Sequence, residues 1–96
     1  MHGLIGSFSA HPGKRDELIA LMTASLSDMP GCLSYVVAKD PQDADKLWIT
    51  EVWDCADSHK ASVHIPAVAE TIRQAMPLIA AFGEHIVTQP VGGCGI

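Results

Sequence analysis

The order of strand-like and helix-like segments is the feature that most limits the folds open to this chain. Apolar runs typical of strands lie at Leu4 to Ala10, Cys32 to Lys39, Lys46 to Asp54 and Gly83 to Gln89. Helical spacing of apolar residues follows the first run and returns from about Ala56 to Met76. The order strand, helix, strand, strand, helix, strand predicts a ferredoxin-like α+β sandwich, with an antiparallel four-stranded sheet and two helices on one face.

Both helical segments have predictable ends. In the first, apolar residues recur at steps of three and four, namely at Leu18, Leu21, Met22, Leu26 and Met29. Pro30 and Gly31 then stop the helix. In the second, one stripe is formed by Val68, Ile72, Met76 and Ile79. Pro66 lacks a backbone donor and should kink or split this helix, and Pro77 should end it.

The strands are apolar on both faces, which bears on assembly. Four strands about 4.8 Å apart make a sheet roughly 19 Å wide, and two helices about 10 Å across cover it once. Strand alternation puts Leu47, Ile49 and Trp53 on one face and Trp48 and Val52 on the other. Residues 1–96 are predicted to be one domain without a third layer. We therefore expect a two-fold homodimer in which the uncovered sheet faces pack together.

Charge and hydropathy argue against several partners. The net charge is -5, with six Lys and Arg residues scattered singly, so no basic stripe is present for nucleic acid. The longest uncharged apolar run, AMPLIAAF, is far shorter than the roughly 20 residues that span a bilayer, and the start MHGLIGSFSA does not resemble a leader. The three cysteines are widely spaced, which favours reduced thiols. A cytoplasmic protein without nucleic-acid binding or membrane insertion is expected.

Known cofactor and metal motifs are missing from the sequence. No GxGxxG, GxxxxGK[ST], HExxH or GxSxG string occurs. His59 and His64 are about 140° apart around a regular helix, which argues against a two-histidine metal site. We therefore expect neither metal nor cofactor. A histidine in a small apolar pocket could still deprotonate a phenol-like substrate, because histidine exchanges protons near neutral pH.

The segment EVWDCADSHKASVHIPAVAE holds the candidate site. Strand alternation places Glu51 and Trp53 on one face near the end of the third strand. Helical spacing aligns His59 with three residues: Ser62, Val63 and Pro66. Trp53 could equally be an ordinary core residue, and His59 a capping or surface residue. His64 is expected to be exposed, and the patterns around His2, His11 and His85 indicate no partner.

At PGCLSY, at DPQDADKLWITEVWDCADSHKASVHIPAV and at the closing PVGG, the sequence resembles the antibiotic biosynthesis monooxygenase family, a group of small dimeric α/β-barrel proteins that includes quinol monooxygenases. The resemblance covers nearly the whole chain. It implies a homodimer that oxidises quinols or related electron-rich aromatic compounds with O2, without a cofactor. It also implies that Trp53 forms a pocket wall, His59 acts as base or proton relay, and Glu51 orients it. Four residues would contact the substrate: Ile49, Ser62, Val63 and Pro66.

Several positions depart from the family pattern. Ser62 and Ala67 stand where many members carry histidine. Ile49 and His59 stand where some polyphenol-oxidising members carry Asn and Tyr. Ile72 occupies the place of a histidine in haem-degrading relatives, which disfavours haem degradation.

Two other functions stay open at the level of sequence. A non-catalytic homodimer that binds a hydrophobic small molecule, or has a structural role, would need Trp53 but no titratable group. An isomerase on the same scaffold would transfer protons without consuming oxygen.

Overall fold

A computed structural model describes residues 1–26 and 28–96 and has the element order expected from the sequence. The strands are β1 (His2–Ala10), β2 (Cys32–Lys39), β3 (Lys46–Trp53) and β4 (Ile79–Thr88). The helices are α1 (Arg15–Ser25), α2 (Ala56–Ser62) and α3 (Pro66–Ala75), followed by a 3₁₀ turn at Met76–Leu78. The sheet order is β2-β3-β1-β4, and every neighbouring pair is antiparallel. The predicted ferredoxin-like α+β fold is confirmed.

The helices differ from the expectation in their bounds. α1 buries Leu18 and Met22 as predicted, but it ends at Ser25, before Leu26 and Met29, the last two residues of the predicted stripe. Met29 lies beyond the helix and is nevertheless buried, in the core around Trp53. The second helical region is split as predicted, and Pro66 occupies the first turn of α3, where its missing N–H costs nothing.

The core lies between the sheet and the helices in two adjoining clusters. The larger cluster contains Ala10, Leu18, Met22, Leu47, Ile49 and Ala75. The smaller contains Met29, Trp53 and Val68. The indole of Trp53 is 1% exposed, so it is among the most deeply buried large side chains of the described chain. The alternation of side chains along β3 therefore directs Trp53 towards the helices, as the sequence predicts.

The buried face of α3 is not the predicted stripe. Val68 is buried as expected, but Thr71 and Ala75 complete the buried face. Ile72 and Met76 are partly exposed. Both side chains line the edge of a cavity and are not part of the packed core. Core packing therefore does not explain why these two positions are apolar.

β4 begins four residues before the predicted start at Gly83, and that expectation is wrong. The strand passes through Gly83 at a bulge, where its register against β1 shifts. A Cβ atom at Gly83 would overlap the Ser7 hydroxyl, so glycine permits a close approach here and does not end the strand. The Ser7 hydroxyl accepts a hydrogen bond from the Glu84 N–H at 2.9 Å and donates to the Glu84 carboxylate.

The sheet face opposite the helices is uncovered and apolar. Val36 and Ile86 are about half exposed, at 53% and 48%. Trp48 lies on the same face, with its Nε1 donating to Asp40 Oδ2 at 2.9 Å and Lys46 Nζ 4.6 Å from its ring centre. That hydrogen bond is the main reason why the pKa of Asp40 is below its usual value. Polar groups therefore rim an apolar surface on this side.

Among the described residues, no helix is long and apolar enough to cross a membrane.

Gly31 is expected to be essential for joining α1 to β2 beside α2. Its φ is +81°, and a Cβ there would lie 2.5 Å from Ser58 Oγ and 2.7 Å from Asp54 Oδ1. Gly13 is a matched control, because its φ is +79° but no atom would contact its Cβ within 4 Å. We expect Gly13→Ala to lower the free energy of unfolding by about 1 kcal/mol, through backbone strain alone. Gly31→Ala should lower it by at least about 2 kcal/mol, because the clash adds to the strain.

Urea denaturation followed by circular dichroism measures both changes. Equal losses in the two variants would show that the contact with α2 has no part in the requirement for Gly31.

Candidate functional site

A cavity of about 200 Å³ lies between the sheet and the helices. Most of its wall is apolar and comes from both layers, including Phe8, Met22, Leu26, Met29 and Val68. Three of its lining residues have titratable side chains: Tyr35, Glu51 and His59. The cavity is therefore an apolar chamber with a small titratable group of side chains in its wall.

Glu51 joins the tryptophan to the histidine. Its Oε1 accepts a hydrogen bond from Trp53 Nε1 at 3.0 Å. The same oxygen is 3.9 Å from His59 Nε2, which is too long for a hydrogen bond but close enough for ion pairing when the imidazole is protonated. The rings of Trp53 and His59 pack with their centroids 5.4 Å apart. The indole thus fixes the carboxylate beside the imidazole.

The short connection between β3 and α2 brings His59 back over Trp53. β3 ends at Trp53, and the Asp54 N–H donates to the Gly31 carbonyl at 2.9 Å. The Asp54 carboxylate then accepts the Cys55 N–H at 2.6 Å, at the residue that caps α2. Because α2 starts so soon after the strand, its first turns lie above the strand end. His59 is consequently partly covered and faces the carboxylate.

Tyr35 lies beside Glu51 on the neighbouring strand. The β2–β3 register pairs these two residues directly, so their side chains share the helix-bearing face. Burial, and secondarily the negative charges of Glu51 and Cys32, raises the pKa of Tyr35 above its usual range. Burial and then Glu51 likewise raise the pKa of the Cys32 thiol. Both groups therefore hold their protons more tightly than in water.

The other polar groups in the wall are largely occupied by their own helices. Ser62 Oγ donates to the His59 carbonyl at 2.6 Å. Thr71 Oγ1 donates to the Ala67 carbonyl at 3.0 Å. Their hydroxyl protons are therefore not directed at a ligand. The Glu51 and His59 side chains are the groups of the cavity wall that are best placed to act on one.

A second cavity of about 410 Å³ adjoins the first beside β1 and β4. The two cavities share four lining residues: Phe8, Glu51, His59 and Phe82. The rings of Phe8 and Phe82 meet edge to face, with centroids 5.3 Å apart. Ser7, Glu84 and His85 also line the second cavity, so it is more polar than the first. The carboxylate and the imidazole therefore stand where an apolar and a polar chamber meet.

The structure brings most of the predicted site residues together. Glu51, Trp53, His59, Ser62 and Val63 line the first cavity, and the buried Ile49 reaches the second. Pro66 is the exception, since it is not among the residues described as lining either cavity. It begins α3 and is exposed, so the expectation that it contacts a substrate is not supported by its position.

His64 is exposed, as predicted, but two other histidines have neighbours that the sequence pattern does not indicate. His2 pairs with Trp53 in the β1–β3 register, and its ring centroid is 5.8 Å from that of His59. His85 lines the second cavity. Both placements depend on pairing between strands far apart in the sequence, which local spacing does not reveal.

Phe8, Tyr35 and Phe82 are also absent from the sequence-based site, although they line the first cavity. A signal existed for Tyr35, because counting back through the β2–β3 turn places it opposite Glu51. No comparable signal existed for Phe82, whose position depends on the bulge in β4.

Within residues 1–26 and 28–96, no cluster of three or more His, Cys, Asp or Glu side chains is arranged to hold a metal ion.

The raised pKa of Tyr35 predicts a stability loss in alkali. Tyr35 is the sole tyrosine of the chain, so ultraviolet difference spectroscopy of tyrosinate reports on it alone. Unfolded tyrosine loses its proton near pH 10, whereas folded Tyr35 keeps it to higher pH. The unfolded state then binds fewer protons, so the free energy of unfolding should fall as pH rises above about 10. Tyr35→Phe should flatten this fall, and tyrosinate absorbance that develops near pH 10 in the folded protein would contradict the prediction.

Comparison with known proteins gives the chain a family. The family model for antibiotic biosynthesis monooxygenase matches residues 1–74. A solved structure from Chloroflexus aurantiacus is 59% identical, with a TM-score of 0.93 over 96% of this chain and 94% of that one. Its assignment as an antibiotic biosynthesis monooxygenase is provisional.

More distant structures share the fold. A Deinococcus radiodurans protein is 22% identical, with a TM-score of 0.79 over 100% of this chain and 98% of that one. A Nitrosomonas europaea protein is 11% identical, with a TM-score of 0.81 over 96% of this chain and 100% of its own. Comparison with curated proteins finds no match. Because the family model and the Chloroflexus structure both cover most of the sequence, the chain belongs to the antibiotic biosynthesis monooxygenase family.

Proposed function

We propose that this protein is a cofactor-independent monooxygenase that oxidises quinols or related electron-rich aromatic compounds with O2. The observation that carries the proposal is the placement of Glu51 and His59 together in the wall of an apolar cavity. Family membership supports monooxygenase chemistry in general. The quinol substrate rests on the cavity, which offers an apolar chamber for a ring and one base for a phenolic proton.

His59 is the proposed base, because the other titratable groups of the cavity suit the role less well. Tyr35 holds its proton too tightly, since its pKa is raised by burial. Glu51 already accepts a hydrogen bond from the Trp53 N–H, so one of its oxygens is occupied. The carboxylate instead supports the imidazolium that forms when His59 takes a proton. This division of labour follows the general use of a carboxylate to orient a catalytic histidine.

The proposed reaction begins when an imidazole nitrogen of His59 takes a proton from a quinol hydroxyl. The quinolate passes one electron to O2, and the resulting semiquinone and superoxide combine to form a bond between carbon and oxygen. The O–O bond of this peroxide then breaks while the ring carbon loses its proton. The outer oxygen leaves as water with that proton and the one that His59 held. The product is a hydroxyquinone, and the quinol has supplied the four electrons that reduce O2.

The cavity assists by excluding water and positioning the ring. Trp53 forms one wall, and Val63 and the buried Ser62 also line the cavity near His59. A quinolate formed in apolar surroundings is less stabilised by water, which makes it a stronger electron donor. Fixing the ring against His59 also removes the entropy cost of bringing the two groups together.

We further propose that residues 1–96 form one domain and that the protein works in the cytoplasm as a homodimer. The apolar face with Val36 and Ile86 supports the dimer, because a second copy of this face would cover it. The first cavity lies on the opposite side of the sheet, beneath the helices. Packing through this face would therefore leave the entrance beside the helices open.

Oxygen consumption with a panel of reduced quinols, beginning with menadiol, tests the proposed function. The metal-free protein is compared with heat-denatured protein and with the rate of autoxidation. Uptake that depends on the enzyme and saturates with substrate is expected. Uptake no faster than autoxidation across the panel would contradict the proposal and favour a non-catalytic binding protein. Turnover of the substrate without oxygen uptake would favour an isomerase.

His59→Ala should lower the rate of oxygen uptake at least tenfold, which corresponds to about 1.4 kcal/mol in the activation free energy. His64→Ala is the matched control, because His64 is an exposed histidine nearby that lines neither cavity as described. It should retain the parent rate. Equal rates in the His59→Ala and parent proteins, with the same oligomeric state, would remove His59 from the mechanism.

Val36→Lys should disrupt the proposed dimer, because it places a charge on the uncovered sheet face, at the middle of the edge strand β2. Met76→Lys is the control, since Met76 has similar exposure but lies on the helix side. Sedimentation equilibrium should show monomers for Val36→Lys and dimers for the parent and Met76→Lys proteins. A monomeric parent, or an unchanged dimer in Val36→Lys, would contradict the predicted interface.

A further inference from the structure

The entrance of the first cavity is surrounded by exposed apolar side chains. They are Val63, Ile72, Met76 and Phe82, which line the cavity and are 39 to 63% exposed. Ile72 and Met76 lie one turn apart on the same face of the helical segment, while Phe82 approaches from β4. We name these four residues the apolar rim. Such a concentration of large apolar groups beside a cavity indicates a surface that is covered in use.

The size of the cavity indicates how much of a ligand it holds. A buried apolar cavity of roughly 150 Å³ accepts a benzene molecule. The first cavity, at about 200 Å³, therefore holds an aromatic ring with small substituents. A longer substituent has to extend beyond the first cavity, and an aliphatic chain suits the apolar rim better than the adjoining second cavity, which is also lined by Ser7, Glu84 and His85.

The chemistry of the lining favours an uncharged substituent. Among the residues described as lining the first cavity, none is Lys or Arg, and the carboxylate of Glu51 would repel an anion. The rim also lies on the helix side of the sheet, away from the face proposed to form the dimer. The rim is therefore available to a ligand chain in the dimer.

We propose that the substrate is an alkyl-substituted quinol, whose ring enters the first cavity and whose aliphatic chain lies across the apolar rim. This inference rests on the proposed function and names the substrate class within it. Ile72 and Met76 then determine specificity by burying methylene groups of the chain. Full burial of one methylene contributes roughly 0.8 kcal/mol, or about fourfold in affinity, so partial burial at an open rim gives about twofold.

Binding of 4-alkylphenols with one, three, five and seven carbons in the chain tests this substrate class. These phenols retain the ring, the hydroxyl and the chain, but they need no oxygen turnover and do not add to the exposed thiols of Cys55 and Cys94. Isothermal titration calorimetry should show dissociation constants that fall about twofold per methylene over the first four added carbons. The total gain in affinity is then roughly 16-fold, because each added methylene buries further apolar area.

The double variant Ile72→Ser, Met76→Ser should reduce that total gain to less than fourfold, where the gain is taken within the variant, relative to its own affinity for 4-methylphenol. Leu33→Ser is the matched control, because Leu33 is 47% exposed, close to the 49% of Met76, and lines neither cavity as described. It should keep the full dependence on chain length. Circular dichroism confirms that each variant is folded.

Affinities that do not change with chain length, or that rise equally in the rim variant and the control, would overturn the proposal. Loss of the dimer in the rim variant would also overturn it, by assigning the rim to a protein interface. A failed oxygen-uptake test with a preserved chain-length dependence would refute the oxygenase chemistry but retain the subsite. The two proposals can therefore fail separately.

Discussion

The hydrogen bond between the Trp53 indole and the Glu51 carboxylate is the interaction on which the candidate site depends. The indole is almost completely buried, and an unpaired buried N–H costs about 1 to 3 kcal/mol. Glu51 satisfies it at 3.0 Å, two residues earlier on the same face of β3. A bond to a charged acceptor is stronger than one between neutral groups. Burying the tryptophan thus brings a carboxylate into the wall of an apolar cavity.

That carboxylate organises the titratable groups around it. Its charge helps to keep Tyr35 and Cys32 protonated, so neither competes for a substrate proton. The same carboxylate lies 3.9 Å from Nε2 of His59. One carboxylate therefore lies beside two groups that retain their protons and beside the imidazole proposed as the base. Two strands and one short helix are sufficient to build this arrangement, which explains how so small a chain holds a candidate catalytic site.

Local sequence patterns predict the parts of the site that lie within one element or across one short connection. Alternation along β3 places Glu51 with Trp53, and the proline rule places the break before α3. Contacts between distant segments could not be predicted in this way. His2 reaches His59 through the β1–β3 register, and Gly83 lies within β4 where the Ser7 side chain leaves no room for a Cβ atom. Local sequence does not distinguish a glycine at the start of a strand from one at a bulge inside it, so the opposing strand is needed to decide.

The exposed apolar surface of this chain forms two separate regions that differ in shape and in their polar surroundings. The sheet face around Val36 is broad and rimmed by polar groups such as Asp40 and Lys46, an arrangement that suits a flat, self-complementary partner. The rim around Met76 is narrow and leads into a cavity, which suits a chain attached to a ring. The sheet separates the two regions. Packing on one side can therefore stabilise the domain without closing the entrance on the other, and the proposed dimer interface and the cavity use different residues.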